Sequence, residues 1–224
     1  MSRRVPACAW IFAVAILTAR AAAAQPAIEA GRLELSAGAA WLGHESFGSV
    51  DATETTNSGG TFKLFTASSE LAAAAGFDAR VGVRVAGTLV IEADASFGKP
   101  ELRATIANDV EGAPGVTAAE RVKQYTIGGG ATWYVPTTSR LVPFAAGGAG
   151  YLRQLHERGI LVETGRYYEI GGGVVYLLNA GRSGALKATG VRVDVRANIF
   201  QDGVSLDGGT HVAPAIVGSL VFRF

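Results

Sequence analysis

From Val191 to Ile199 apolar and polar residues take turns without a break: Val191, Val193, Val195, Ala197 and Ile199 are apolar, and Arg192, Asp194, Arg196 and Asn198 are charged or polar. A period of two is that of a β-strand, whose successive side chains point to opposite faces. The same rhythm runs through Leu33-Glu34-Leu35-Ser36, and through Leu89, Ile91, Ala93 and Phe97 set against Glu92, Asp94 and Ser96. In the last segment Pro214, Ile216, Gly218, Leu220, Phe222 and Phe224 share one face, while Ser219 and Arg223 take the other. The pattern predicts eight strands, near 31–43, 66–77, 84–98, 120–135, 142–154, 164–178, 189–200 and 212–224.

Most of these spans exceed the roughly 9 to 11 residues that a tilted strand needs to cross a bilayer. The connections 44–65, 99–119, 155–163 and 201–211 are long or polar, whereas 78–83, 136–141 and 179–188 are compact. Long loops on one side and short turns on the other are the asymmetry of a membrane-spanning barrel, and an even strand count returns both termini to the short-turn side. The fold class expected is therefore all-β, an eight-stranded antiparallel up-and-down transmembrane barrel. A soluble carrier barrel would need an apolar interior and a polar exterior, the inverse of what Val191 to Ile199 offers.

Composition agrees and removes other classes. The chain has 224 residues, of which 49% are hydrophobic and 17% charged, with 30 glycines and a net charge of +1. That balance lacks the basic stripe of a nucleic-acid binder. The mean hydropathy is +0.26, although no stretch after the N-terminus is long and apolar enough for a membrane helix. At the N-terminus, Arg3-Arg4, an apolar run from Val5 to Leu17 and the small residues Ala21-Ala22-Ala23-Ala24 before Gln25 have the layout of a secretory signal peptide. The expected division is a cleavable signal peptide over 1–24 and one barrel domain over 25–224. Removing Cys8 with the leader leaves a mature chain without cysteine, hence without disulfides or thiolate metal ligands.

The final segment Ala215-Ile-Val-Gly-Ser-Leu-Val-Phe-Arg-Phe224 resembles the closing strand of small bacterial outer-membrane barrels of the OmpA-type and opacity-like porin family. The resemblance implies that Leu220, Phe222 and Phe224 form the signal read by the barrel-assembly machinery, after delivery by periplasmic chaperones. It also implies residence in the outer membrane among its lipids. The family spans adhesins, structural anchors, small pores and a few enzymes, so the resemblance selects none of these roles. Interfacial aromatics are expected in two girdles: Phe77, Trp133, Tyr134, Phe144, Tyr176 and Phe222 at the periplasmic ends, and Trp41, Phe97, Tyr151, Tyr168 and Phe200 at the outer ends.

Alternation points Glu34, Glu92, Asp94, Gln124, Glu169, Arg192, Asp194, Arg196 and Arg223 inward, with Arg153 at the margin of the pattern. An eight-stranded barrel is about wide enough for side chains to fill, so these groups are expected to pair across the lumen and close it. The alternative is a small passive pore opened by rearranged pairs. Tyr125-Thr-Ile-Gly-Gly-Gly-Ala and Tyr168-Glu-Ile-Gly-Gly-Gly-Val are repeats that flank Gly147-Gly148-Ala149-Gly150. These clusters are expected to relieve crowding or permit curvature; a lipid-facing groove, an oligomer contact or a small cavity is the alternative.

Candidate catalytic chemistry is sparse. His44-Glu45-Ser46 is the most suggestive set, because lipid-modifying barrels of similar architecture use histidine, serine and an acid near the outer leaflet. A continued strand, however, would put His44 and Ser46 on one face and Glu45 on the other. His156 and His211 stand apart, and no metal or cofactor site is expected. The outer loops are rich in carboxylates, among them Glu45, Asp51, Glu54, Glu101, Asp109 and Glu111, while Arg80, Arg140, Arg182 and Lys187 are assigned to periplasmic turns. The expected role is a structural or surface-interaction barrel with a surface partner for its loops, followed by a passive pore and then a lipid-modifying enzyme.

Overall fold

The computed structural model describes residues 31–156, 161–180, 184–204 and 209–224. The expected signal peptide and Arg182 lie outside the described residues, as do Glu157 and Asp207, two further carboxylates of the segments expected as outer loops. Among the described residues there are eleven strands and no helix: β1 (Leu33–Leu42), β2 (Glu45–Thr55), β3 (Thr61–Leu71), β4 (Ala74–Ala86), β5 (Leu89–Gly98), β6 (Glu101–Ala107), β7 (Val116–Tyr134), β8 (Leu141–His156), β9 (Val162–Ala180), β10 (Ala188–Asp202) and β11 (Thr210–Arg223).

Eight of them close a ring. β1 pairs with β4, β4 with β5, β5 with β7, then β7 through β11 pair in sequence and β11 returns to β1, every pair antiparallel. The seam runs from Glu34 opposite Arg223 to Leu42 opposite Ala215, and the Phe224 carbonyl accepts from the Arg32 amide at 2.7 Å. Closure removes every free edge from the ring, the condition for a sheet to sit in hydrocarbon. The exterior carries Val81, Val83, Ile91, Ile127, Ile170, Val193, Val195, Ile216 and Leu220, all exposed, and the interior carries the charges.

The remaining strands are outward continuations of the first three ring strands. Breaks at Gly43-His44, Ala72-Ala73 and Lys99-Pro100 release β2, β3 and β6, which pair in the order β2-β3-β6 and join the outer end of β7. Proline at 100 has no amide to donate to a ladder. The segments 44–65 and 99–119, expected as loops, are therefore largely strand.

The strand expected over 66–77 instead straddles β3 and β4, and the compact connection expected over 78–83 lies inside β4. Asp78, Arg80 and Gly82 look like turn residues only until parity is applied. Phe77, Ala79, Val81, Val83 and Val85 form one apolar face and Asp78, Arg80 and Arg84 belong to the other. The turn that does exist is Gly87-Thr88, between Ala86 and Leu89.

Candidate functional site

The interior is filled from one end to the other, and five guanidinium groups organise it. Near the short-turn end, Arg223 Nε donates to Glu34 Oε2 at 2.8 Å, Arg84 approaches the same oxygen at 3.7 Å, and the Tyr134 hydroxyl donates to the other Glu34 oxygen. The guanidinium of Arg223 also lies 4.9 Å from the centre of the Tyr134 ring, and that of Arg192 lies 4.2 Å from Phe144. Flat cations on ring faces pack closely while keeping electrostatic support. Val90, Val142, Val175, Leu177 and Ala188 fill the rest of this level.

The middle level turns on Arg80. Its guanidinium donates from Nη1 to Glu92 at 3.1 Å, from Nη2 to both oxygens of Glu169 at 2.9 and 3.0 Å, and from Nε to Asp78 at 3.3 Å. Arg192 donates to the second oxygen of Glu92 at 3.1 Å and lies 3.3 Å from Asp194. Arg196 donates to Asp78 at 2.7 Å and to Asp194 at 2.8 Å. The Tyr167 hydroxyl donates to Asp94. Four strands, β4, β5, β9 and β10, thus meet through arginine–carboxylate bonds, and Arg196 grips Asp78 as a fork, Nη1 to one oxygen at 2.7 Å and Nη2 to the other at 3.3 Å, a geometry that distinguishes arginine from lysine.

Of the residues expected inside, Glu34, Glu92, Asp94, Gln124, Glu169, Arg192, Asp194, Arg196 and Arg223 are all buried. Arg153 faces outward, because Leu152 and Gln154 take the interior positions of β8. Arg80, assigned to a periplasmic turn, is the hub instead, and Asp78 stands beside it. Both were hidden by the misplaced turn, although the uninterrupted alternation from Phe77 to Val85 carried the signal. Tyr134 and Phe144 also leave the expected girdle for the interior, as does Phe200 at the outer end, since each shares parity with lumen residues. Phe77 belongs to the outer aromatic row, opposite Phe97.

The glycine clusters make room for this filling. A Cβ on Gly150 would meet the Tyr167 ring at 2.5 Å and the Gly128 backbone at 2.6 Å; one on Gly128 would meet the same tyrosine, and one on Gly173 would press on Asp194. Between the side chains a cavity of about 20 Å³ remains beside Asp78, Asp94, Glu169 and Arg196, room for about one water molecule.

Above the charges, Gln154 donates to Gln124 at 3.0 Å, and Leu152, Phe200 and Ala213 close over Tyr167. Phe47, Leu71, Val122 and Val204 form a second apolar cap under the outward sheet. Glu45, the first residue of β2, is buried at this cap, and burial pushes its carboxyl up to about 7. His44 and Ser46 lie on the opposite, exposed face; His44 Nε2 meets Glu70 at 2.8 Å and Ser46 Oγ accepts from the Gly48 amide at 3.3 Å. His156 contacts Glu120 at 3.2 Å, and the His211 ring packs edge-on against Phe47. Leu220, Phe222 and Phe224 form an exposed apolar row along the outside of β11.

An apolar exterior, a closed ring and a paired polar interior define the class: a bacterial outer-membrane β-barrel fold of eight strands. Known structures agree with that class. The chain is similar to neisserial surface protein A, at 16% identity and a TM-score of 0.52 over 86% of this chain and 97% of that one. It is also similar to the outer membrane protein OprG from Pseudomonas aeruginosa, at 13% identity and a TM-score of 0.51 over 89% and 98%. No protein-family model matches the chain, and no curated protein sequence does.

Proposed function

We propose that the protein is a resident of the bacterial outer membrane with a structural and surface-interaction role, that its lumen does not conduct, and that it catalyses no reaction. The observation that carries this proposal is the sealed interior: arginine–carboxylate forks in the middle, aromatic and aliphatic side chains at both ends, and space for about one water between them. A pore needs a continuous hydrated path, and the described residues leave none through this lumen. What the molecule offers to solvent is the outward sheet of β2, β3, β6 and the end of β7, whose outermost strand β2 pairs only with β3 among the described residues. An exposed edge is a surface on which an extended partner can pair. Leu220, Phe222 and Phe224 serve as the assembly signal for the barrel-assembly machinery. The neisserial neighbour is named as a surface protein, in keeping with this role.

The test is reconstitution into planar bilayers of protein whose unboiled and boiled gel mobilities differ, the sign of a closed barrel. Absence of unitary current steps is the expected result. Steady conductance from wild-type protein that passes the mobility check would restore the passive pore, and acyl release from outer-leaflet lipid that vanishes in Ser46→Ala would restore the enzyme.

A further inference from the structure

The outside of the barrel is not uniform around its circumference. At the outer ends of β7, β8 and β9 and just past the end of β5, the outward positions hold Lys123, Arg153, Arg166 and Lys99, all exposed. At the corresponding level of β10, β11, β1 and β4 the outward positions hold Ile199, Val212, Trp41 and Ala75, with no charge. Ordinary snorkelling of basic residues at a membrane interface would spread them around the ring; here they are confined to one side.

The register places the cations together. Tyr125 is opposite Arg153 with Lys123 two residues further out, and Tyr151 is opposite Arg166. With strands about 4.8 Å apart, the row spans on the order of 15 Å. Lys99 sits 5.6 Å from the centre of the Phe97 ring, and Lys123, Arg153 and Arg166 have no ion-pair partner among the described residues. Glu101, the carboxylate two residues past Lys99, is already held by Arg103 at 2.8 Å.

Directly membrane-ward of this row is a groove of about 760 Å³ between Phe77, Phe97, Tyr125, Ile127 and Tyr151, with Arg153 beside it. Its walls are apolar and open towards the hydrocarbon. An apolar channel under a row of uncompensated cations matches an amphiphile with an acyl chain below and phosphate above, and arginine forks suit phosphate oxygens.

We propose that this face binds a phosphorylated glycolipid of the outer leaflet, its phosphates on Lys99, Lys123, Arg153 and Arg166 and one acyl chain in the groove. The proposal rests on the outer-membrane reading above. It is tested by native mass spectrometry of detergent-purified protein that shows the mobility shift, so that a failed barrel is recognised before lipid is added. The probes are diphosphorylated lipid A, the same lipid with its phosphates removed, and inorganic pyrophosphate. Lipid A should be retained one to one, at least tenfold more than the dephosphorylated lipid, with pyrophosphate not retained. The triple variant Lys123→Gln, Arg153→Gln, Arg166→Gln should lose that preference and keep the mobility shift. Equal retention of both lipids, unchanged retention by a folded triple variant, retention of pyrophosphate alone, or a second copy of the chain in place of lipid would each overturn it.

Discussion

Arg80 and Lys63 each sit within 4 Å of carboxylates, yet their contributions differ by burial. Arg80 is 5% exposed and holds three acids; Lys63 meets Asp51 at 2.7 Å with both side chains about half exposed. Removing one member of a buried network strands the others, at roughly 3–5 kcal/mol, whereas an exposed pair is worth about 0–1 kcal/mol. Arg80→Ala should therefore lower the urea midpoint of the folded gel band far more than Lys63→Ala, and equal shifts would mean that water reaches the Arg80 site. Glycines divide in the same manner. Gly150→Ala drives a methyl into Tyr167 and should cost about 1–3 kcal/mol, while Gly218, on the outer face with nothing within 4 Å of an added Cβ, should accept alanine within about 0.5 kcal/mol. The same denaturation series distinguishes steric filling of the lumen from a general need for flexible strands, which would make the two substitutions equally harmful.

Single strands were legible where apolar and polar residues alternate cleanly, as in β10 and β11, because lipid and lumen impose opposite demands on the two faces. β4 was missed although Phe77 to Val85 alternate, because Asp78, Arg80 and Gly82 have turn-like composition that outweighed the period; their partners on β5, β9 and β10 show what the charges do there. Nor were β2, β3 and β6 separable from loops: outside the membrane neither face of that sheet must be apolar throughout, so the period fades. Glu45 marks the joint between the two regimes. Its carboxyl ionises near 7 in the folded protein against 4.5 ordinarily, so between those values the unfolded chain has released a proton that the folded one retains. Stability contributed by a seated β2 is thus full below pH 4.5, falls as pH rises to about 7, and is level above it, a span on the order of 3 kcal/mol. The protection of β2 and β3 amides, taken relative to their intrinsic base-catalysed exchange at each pH, should fall over that window, and Glu45→Gln should flatten that protection profile; an unchanged profile would assign the dependence to another group.

Across the whole molecule the barrier to solutes is redundant. An aromatic and aliphatic layer around Tyr134 and Phe144, the forks centred on Arg80 and Arg196, and the cap of Leu152 and Phe200 each span the lumen. Balanced charge along the strands was enough to anticipate pairing in the middle. The two apolar layers could not be read locally, because Tyr134, Phe144 and Phe200 look like interfacial aromatics until the register assigns them to the inside. Redundancy changes what a conductance experiment should find. Arg196→Ala alone leaves two intact layers and should remain silent, as should Phe200→Ala or Phe144→Ala alone, provided each variant keeps its mobility shift. Current steps should appear only when Phe144→Ala, Arg196→Ala and Phe200→Ala are combined in protein that still runs as a folded barrel. Conductance from folded Arg196→Ala by itself would show that the charged layer is the whole barrier, and the apolar layers would then be packing that ions can pass.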